Sequence, residues 1–168
     1  KRVRWSALGP LTYASGTADF ASGIAGAQDI DDGEGVLECA LPLAGGIVLY
    51  FQNSIHFQYF VGGNAVWQFQ KMIPGVGTPG RRCATAYQEV NYLLTYNNIY
   101  RYFGGYYLDP IGESVKKAVF SELNPSAIGN SFLDFDKKEG ELLVNIPTGT
   151  ATQPNVTWVY RVADKAWS

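Results

Sequence analysis

The chain repeats itself at an offset of 44 residues, and this repeat limits the kind of fold that it can adopt. Cys39 corresponds to Cys83, and residues 47–59 align with residues 91–103 without a gap. Units of about this length, built from short strands, are typical of propeller blades and related β arrays. The repeat therefore predicts an all-β fold, a propeller-like array of short antiparallel strands.

Each copy of the repeat has the same internal order. An apolar strand leads to a polar corner at Asn53 or Asn97, and an aromatic-rich strand then ends at a glycine pair, Gly62-Gly63 or Gly104-Gly105. Polar corners and glycine pairs are the usual boundaries of short strands. Because the corners are equivalent, the repeat predicts that proline at Asn53 or at Asn97 harms folding to a similar degree.

The two ends of the chain keep the same spacing. Trp5-Ser6 and Trp167-Ser168 lie 162 residues apart, close to four units of ~40–45 residues. We expect one propeller-like domain over residues 1–168, with repeat units near 1–35, 36–80, 81–125 and 126–168. The chain starts at Lys1 and four blades are at the low end of the ~4–8 seen in propellers. Two alternatives therefore stay open: a closed four-bladed disc, or part of a larger ring completed by further chain or by neighbours.

The remaining segments are assigned from local pattern. Val115, Val119 and Leu123 lie four apart and predict one short inserted helix over residues 113–123, which Asn124-Pro125 would end. Residues 9–35 are rich in Gly, Ala, Ser and Asp and indicate mostly loop. In the last unit we expect strands at residues 131–136, 141–146 and 155–162.

Composition and charge exclude some classes of protein. The chain is 46% hydrophobic and 14% aromatic, which is enough for a packed β core. A net charge of −2 and a pI near 5.3 argue against a surface that holds nucleic acid by its phosphates. No apolar run approaches the ~20 residues of a membrane helix, so no membrane insertion is expected. The basic pairs are scattered and predict solvated loop or helix faces: Arg81-Arg82, Lys116-Lys117 and Lys137-Lys138.

The cysteines and the single histidine favour packing roles. Cys39 and Cys83 occupy equivalent points of neighbouring units, too far apart for the ~4.4–6.8 Å between Cα atoms of a disulfide, so free buried thiols are expected. Two cysteines and one histidine make a zinc site improbable. His56 aligns with Tyr100, so that position accepts an aromatic ring in both copies. We therefore interpret His56 as a packing residue rather than a general base.

Carboxylates are the remaining route to an enzyme. Glycosidases use paired acids, and the candidates here are Asp109, Glu113, Asp134 and Asp136. Asp134 and Asp136 share a strand face by their spacing, but Asp136 also begins a segment with the pattern of a hairpin turn. The sequence therefore predicts no catalytic residue and no enzymatic activity.

Two further segments resemble ligand loops only in part. Asp29, Asp31, Asp32 and Glu34 surround Gly33 like part of a calcium loop, but the bidentate glutamate at its far end is missing. An exposed acidic turn is the simpler interpretation, and no metal or cofactor is predicted. Residues 75–80 contain three glycines but also Pro79, and they indicate a turn between strands rather than a phosphate cradle.

Several long runs carry a resemblance to a known family. These are residues 41–83, 97–125 and 156–168, together with the opening RVRWSALG and the later GAQDIDDGEG. In these runs the chain is similar to the β-propeller region of tail proteins of short-tailed bacteriophages, the tail tubular, nozzle or hub proteins. The resemblance covers nearly the whole chain and consists of repeated phrases, not of a catalytic signature.

The resemblance implies a structural protein of the virion. Such a protein is a subunit of a ring, six-fold in the nozzle-type relatives, and it contacts other tail or portal-adaptor proteins. DNA would be only a transient passenger of the ring's channel during genome ejection. We expect assembly contacts on three inserted elements, residues 74–82, 145–155 and 113–123. The alternative is that these segments are only solvent-exposed loops.

A glycan-binding propeller module is the alternative function. In that case loop aromatics would stack on the sugars of a host surface, and Tyr106, Tyr107 and Trp67 are the candidates. The same rings are equally explained by core packing or by packing between blades.

Overall fold

The computed structural model describes residues 1–5, 25–62 and 66–168, and these residues form an all-β protein, as predicted. A two-stranded hairpin sheet pairs β1 (Arg2–Trp5) with β2 (Gly26–Asp29). Three four-stranded antiparallel sheets follow, each with its strands in chain order. Sheet I contains β3 (Leu37–Leu43), β4 (Gly46–Phe51), β5 (Ser54–Phe60) and β6 (Trp67–Pro74). Sheet II contains β7 (Ala84–Tyr87), β8 (Val90–Leu94), β9 (Ile99–Tyr102) and β10 (Asp109–Pro110). Sheet III contains β11 (Phe132–Asp136), β12 (Glu141–Ile146), β13 (Val156–Arg161) and β14 (Ala166–Trp167).

Two-residue turns open sheets I and II at equivalent points of the repeat. Ala44 and Gly45 connect β3 to β4, and Gln88 and Glu89 connect β7 to β8; all four residues have positive φ. Positive φ at both central residues matches the right-handed twist of paired strands. The second turn lacks glycine, so the pairing of the strands, not local preference, holds it in shape.

The 44-residue repeat is a repeat of strand register. Leu49 pairs with His56 in sheet I, and Leu93 pairs with Tyr100 in sheet II. Gly62 and Gly104, which follow β5 and β9, both have positive φ. The predicted equivalence of the two copies is therefore confirmed, except for Gly63, which lies outside the described residues.

The sheets pack face to face in chain order because alternate residues of each strand face opposite sides. In β8, Leu93 packs with sheet I, whereas Tyr92 and Leu94 pack with sheet III. In β4, Tyr50 packs with sheet II, whereas Phe51 packs towards the hairpin sheet with Ile30. Sheet II thus has an apolar core on each face.

The first strands of successive sheets lie side by side. β3 contacts β7, and β7 contacts β11. The starts of these three strands therefore come together at one end of the array. Closure of the sheets into a propeller ring, and the number of blades in it, stay predictions.

The helical part is larger than predicted. An α-helix, α1 (Lys116–Glu122), lies within the predicted 113–123, and its buried Val119 packs with Leu123 between sheets II and III. The predicted stop at residues 124–125 is confirmed, but a 3₁₀ helix (Pro125–Asn130) follows at once. The Asn124 side chain accepts a hydrogen bond from the Ser126 amide at 3.1 Å and caps it. Asn124-Pro125 therefore ends α1 and also begins the 3₁₀ helix, because proline is favoured at the first position of a helix.

The C-terminal strands are confirmed within one residue at each end: β11, β12 and β13 correspond to the predicted 131–136, 141–146 and 155–162. Residues 9–35, predicted to be mostly loop, include the short strand β2, because residues 26–29 pair with the start of the chain. Residues 9–24 lie outside the described part. Of the helices in the described ranges, none is both long and apolar enough to cross a membrane.

Candidate functional site

The four carboxylates considered for a hydrolase each have a partner within the protein. Asp109 pairs with the Arg101 guanidinium on the neighbouring strand. Glu113 accepts a hydrogen bond from the Asn98 side-chain amide at 2.6 Å. Asp134 accepts one from the Phe135 amide at 2.8 Å, and Asp136 accepts from two turn amides at 2.9 and 3.2 Å. The hairpin turn predicted at Asp136 is therefore confirmed, and each of the four side chains contacts another group of the same chain.

Three carboxylates of the acidic turn contact three different side chains, those of Arg2, His56 and Lys71. Asp29 forms two hydrogen bonds with Arg2, at 2.9 and 2.7 Å, which lower its pKa. Glu34 accepts from Lys71 Nζ at 2.9 Å, which lowers the pKa of Glu34. Asp32 lies 3.1 Å from His56 Nε2. Among the described residues, no three His, Cys, Asp or Glu side chains meet to hold a metal ion. The turn ties the hairpin sheet to sheet I.

His56 is a buried packing residue with one polar contact. Its side chain is 1% exposed, and its ring meets the Phe51 ring edge to face at 4.9 Å between centroids. Burial lowers the pKa of His56, and the hydrogen bond to Asp32 opposes that shift in part. The ring is therefore neutral at pH 7, with its proton on the Nε2 that donates to Asp32. A substrate has no access to this ring, which agrees with the packing role inferred from the Tyr100 alignment.

Both cysteines are free thiols, as predicted. Cys83 is fully buried, whereas Cys39 is only half-buried. Burial raises the pKa of Cys39 to about 11 and that of Cys83 to about 12. Neither sulfur therefore has the thiolate character that a nucleophile needs.

The glycine-rich segment 75–80 is a tightly packed turn. A Cβ atom at Gly77 would overlap the Phe51 carbonyl, and one at Gly80 would overlap the Gly129 carbonyl. The Thr78 amide donates to the Phe51 carbonyl at 3.0 Å. The middle of the segment 74–82, which we expected to serve in assembly, is thus buried in its own chain, and only its ends are exposed.

The aromatic residues proposed for glycan stacking lie on two different surfaces. Tyr106 and Tyr107 are each 69% exposed between β9 and β10, and Tyr106 Oη accepts a hydrogen bond from Gln70 Nε2 at 2.5 Å. Trp67 is half-buried against Phe60, with ring centroids 5.6 Å apart. Because Trp67 and Gln70 are three residues apart on β6, they face opposite sides of sheet I. The structure therefore separates Trp67 from the tyrosine pair.

A polar cavity of about 440 Å³ lies where β3, β7 and β11 begin. It lies between β3, the turn before β7, the end of the 3₁₀ helix and the loop between β12 and β13, and it is lined by Glu38, Pro79, Gly80, Arg81, Arg82, Gly129, Asn130, Ser131 and Gln153. We name it the first-strand cavity. Arg81-Arg82 was predicted to be a solvated pair, and both residues are exposed, but they share this cavity. The sequence signal for the cavity is the pair of arginines between Gly80 and the start of β7.

No family model matches this chain, and a search of curated proteins gave no match.

Proposed function

We propose that this protein is a structural subunit of a bacteriophage tail, part of the hub or nozzle ring through which DNA leaves the virion. The observation that carries the proposal is the succession of three four-stranded antiparallel sheets whose first strands lie side by side. Such sheets are the building blocks of propellers, and the sequence resembles the propeller region of these tail proteins.

Physical properties support a conduit role. Apolar cores on both faces of sheet II bind the sheets into a stiff unit. A net charge of −2 gives the protein as a whole no excess of positive charge with which to hold DNA, since each engaged Lys or Arg adds a salt-dependent contact to phosphate. A subunit of this kind acts by its shape and by assembly with copies of itself and with neighbouring tail proteins.

Electron microscopy of the complete natively purified gene product tests the proposal. We expect rings with a central channel and a fixed symmetry. The resemblance to nozzle-type proteins implies that this symmetry is six-fold. Analytical ultracentrifugation over a wide concentration range should give a matching mass. Compact single particles at every concentration would overturn the proposal.

A glycan-binding module is the second candidate, and one observation favours it. The adjacent rings of Tyr106 and Tyr107 are largely exposed, and the Gln70 amide lies against one of them. Aromatic faces next to amide groups suit the C–H and hydroxyl groups of a sugar.

A glycan array separates the two candidates. Binding that disappears in the double substitution Tyr106→Ala and Tyr107→Ala, but persists in Tyr96→Ala, would support the binding module. Tyr96 is a matched control because it is 50% exposed and lies in the corner between β8 and β9. If the protein binds no glycan and forms rings in the microscope, the glycan-binding module is excluded and the tail-subunit proposal is supported.

A further inference from the structure

We propose that the first-strand cavity binds a phosphate-type oxyanion, with Arg81, Arg82 and Ser131 as its principal contacts. This inference does not depend on the proposed function. It rests on the charge, the unused donors and the rigidity of the cavity.

The lining of the cavity has a net positive charge, with two arginines against one glutamate. Arg81 and Arg82 form no ion pair with any described residue, whereas seven pairs of another Lys or Arg with Asp or Glu occur in the described part of the chain. Glu38 is the one acid in the lining, and its Oε1 accepts a hydrogen bond from Gln52 Nε2 at 2.9 Å. An anion in the cavity would therefore meet two guanidinium groups and a single carboxylate already engaged with an amide.

Ser131 provides an unused hydrogen-bonding group in the lining. The residue is 1% exposed, and its Oγ has no hydrogen-bond partner in the protein. Buried hydroxyl groups normally have a partner, so this one indicates a missing contact. An oxyanion can accept its proton after a small movement of the lining, since the oxygen itself has less than 1 Å² of accessible surface.

The lining is held in place before any ligand arrives. The close approach of Gly80 to the Gly129 carbonyl holds the arginine turn against the end of the 3₁₀ helix. The Arg82 guanidinium lies 4.5 Å from the centroid of the Phe132 ring, and the Arg82 carbonyl accepts from the Leu133 amide at 2.9 Å. Asn130 is fixed by a 2.8 Å hydrogen bond from its Nδ2 to the Thr152 carbonyl. A preorganised site loses less side-chain entropy when it binds.

The geometry favours phosphate as the ligand class. Guanidinium groups match the oxygens of phosphate in pairs, and a hydroxyl beside them supplies a further donor for a tetrahedral anion. The cavity volume of about 440 Å³ is within the ~300–1,000 Å³ of small-molecule sites and admits a phosphate ester. Free phosphate, a phosphate ester and a nucleic-acid backbone share this chemistry.

The first test is a titration of the full chain with inorganic phosphate, followed by amide chemical shifts at constant ionic strength. We expect saturable shifts at residues 80–82 and 129–131. Arg81→Ala should weaken binding at least tenfold, since one of two guanidinium contacts is lost. Because the Arg81 side chain is exposed, the variant should fold like the wild-type protein. Lys137→Ala is the matched control, because that lysine is an exposed member of another basic pair outside the cavity lining, and it should leave the affinity unchanged.

A second variant tests the hydroxyl. Ser131→Ala should weaken phosphate binding severalfold while the amide spectrum of the free protein stays the same away from residue 131. Shifts that do not saturate, or an equal loss in Arg81→Ala and Lys137→Ala, would overturn the proposal.

The source of the phosphate is distinguished by a parallel titration with a short DNA oligonucleotide at equal phosphate concentration. Tighter binding, with an affinity that falls steeply with salt, would identify a nucleic-acid backbone as the ligand. Equal affinity per phosphate would identify a free phosphate or phosphate ester. If neither ligand shifts these amides, the proposal is wrong, whatever the microscope shows about rings.

Discussion

At the scale of single residues, His56 makes the stability of the fold depend on pH. Burial lowers its pKa below the ordinary 6.5, so the unfolded chain takes up a proton that the folded protein resists. The contribution of the neutral ring is fully present above pH 6.5 and is lost as the pH falls from there through the lowered pKa of the folded state. The free energy of unfolding should therefore decrease on acidification, by at most about 1.4 kcal/mol per pH unit for this one proton.

Denaturant unfolding at several pH values between neutral and mildly acidic checks this prediction. His56→Phe keeps a ring but cannot titrate, so its free energy of unfolding should change less across this window, even if the variant is less stable overall. Tyr100→Phe at the equivalent position is the control and should keep the wild-type slope. The carboxylates with lowered pKa, Asp29 and Glu34, act at lower pH, since their ordinary values are 3.8 and 4.5. An unchanged slope in His56→Phe would contradict the assignment.

The two thiols should be unreactive in the folded protein. With pKa values of about 11 and 12, on the order of one Cys39 sulfur in a thousand is ionised at pH 8, and fewer at Cys83. Labelling with a thiol reagent should be slow in native buffer and rapid for both cysteines in denaturant. The variants Cys39→Ser and Cys83→Ser show which of the two sulfurs any residual reaction comes from. Fast stoichiometric labelling of the native protein would contradict the raised pKa values of the thiols.

At the scale of elements, the structure changes what the repeat predicts about its corners. The Asn53 amide donates a 3.0 Å hydrogen bond to the Glu34 carbonyl, whereas the Asn97 amide has only a 3.4 Å contact to Thr95 Oγ1. Proline removes the amide hydrogen in both cases. Asn53→Pro should therefore cost about 1 kcal/mol more than Asn97→Pro, the net value of one hydrogen bond.

Thermal or denaturant unfolding of four variants measures this difference. Asn53→Ala and Asn97→Ala keep the amide hydrogen and serve as controls for loss of the side chain. Equal losses of unfolding free energy in the two proline variants, after correction by the alanine variants, would contradict this prediction. They would favour the equivalence of the two corners that the repeat predicts.

The elements themselves were largely predictable because their causes are local. Alternation of apolar residues, polar corners and glycine pairs located β4, β5, β8, β9 and the C-terminal strands. The errors also have local causes. β2 is short and exposed and forms only because β1 pairs with it, and the 3₁₀ helix depends on an N-cap at Asn124. The turn at Gln88-Glu89 has no glycine, so its positive φ angles had no sequence signal.

At the scale of the whole molecule, sheet II connects the two largest cores. Leu93 and Leu94 are neighbours in β8, both fully buried, yet Leu93 packs with sheet I and Leu94 with sheet III. Leu93→Ala and Leu94→Ala should each lower the free energy of unfolding by about 2–5 kcal/mol. Because sheet II is common to both cores, each variant should shift one cooperative transition of sheets I, II and III.

Hydrogen exchange read separately for amides of sheets I and III checks this prediction. Exposed Gln68→Ala on β6 is a control for substitution on a strand and should have little effect. Loss of protection confined to sheet I in Leu93→Ala, or to sheet III in Leu94→Ala, would mean that the sheets unfold independently.

The amino-acid sequence by itself determined the fold class, the repeat, most strands and the free state of the thiols, because these depend on side-chain alternation, turn residues and the spacing of equivalent positions. The tertiary structure decided the partners of the acidic turn, the separation of Trp67 from the tyrosine pair and the cavity beside Arg81 and Arg82. Those features join segments up to about 115 residues apart, such as Glu38 and Gln153. Their meeting depends on how successive sheets pack, and no local pattern carries that information.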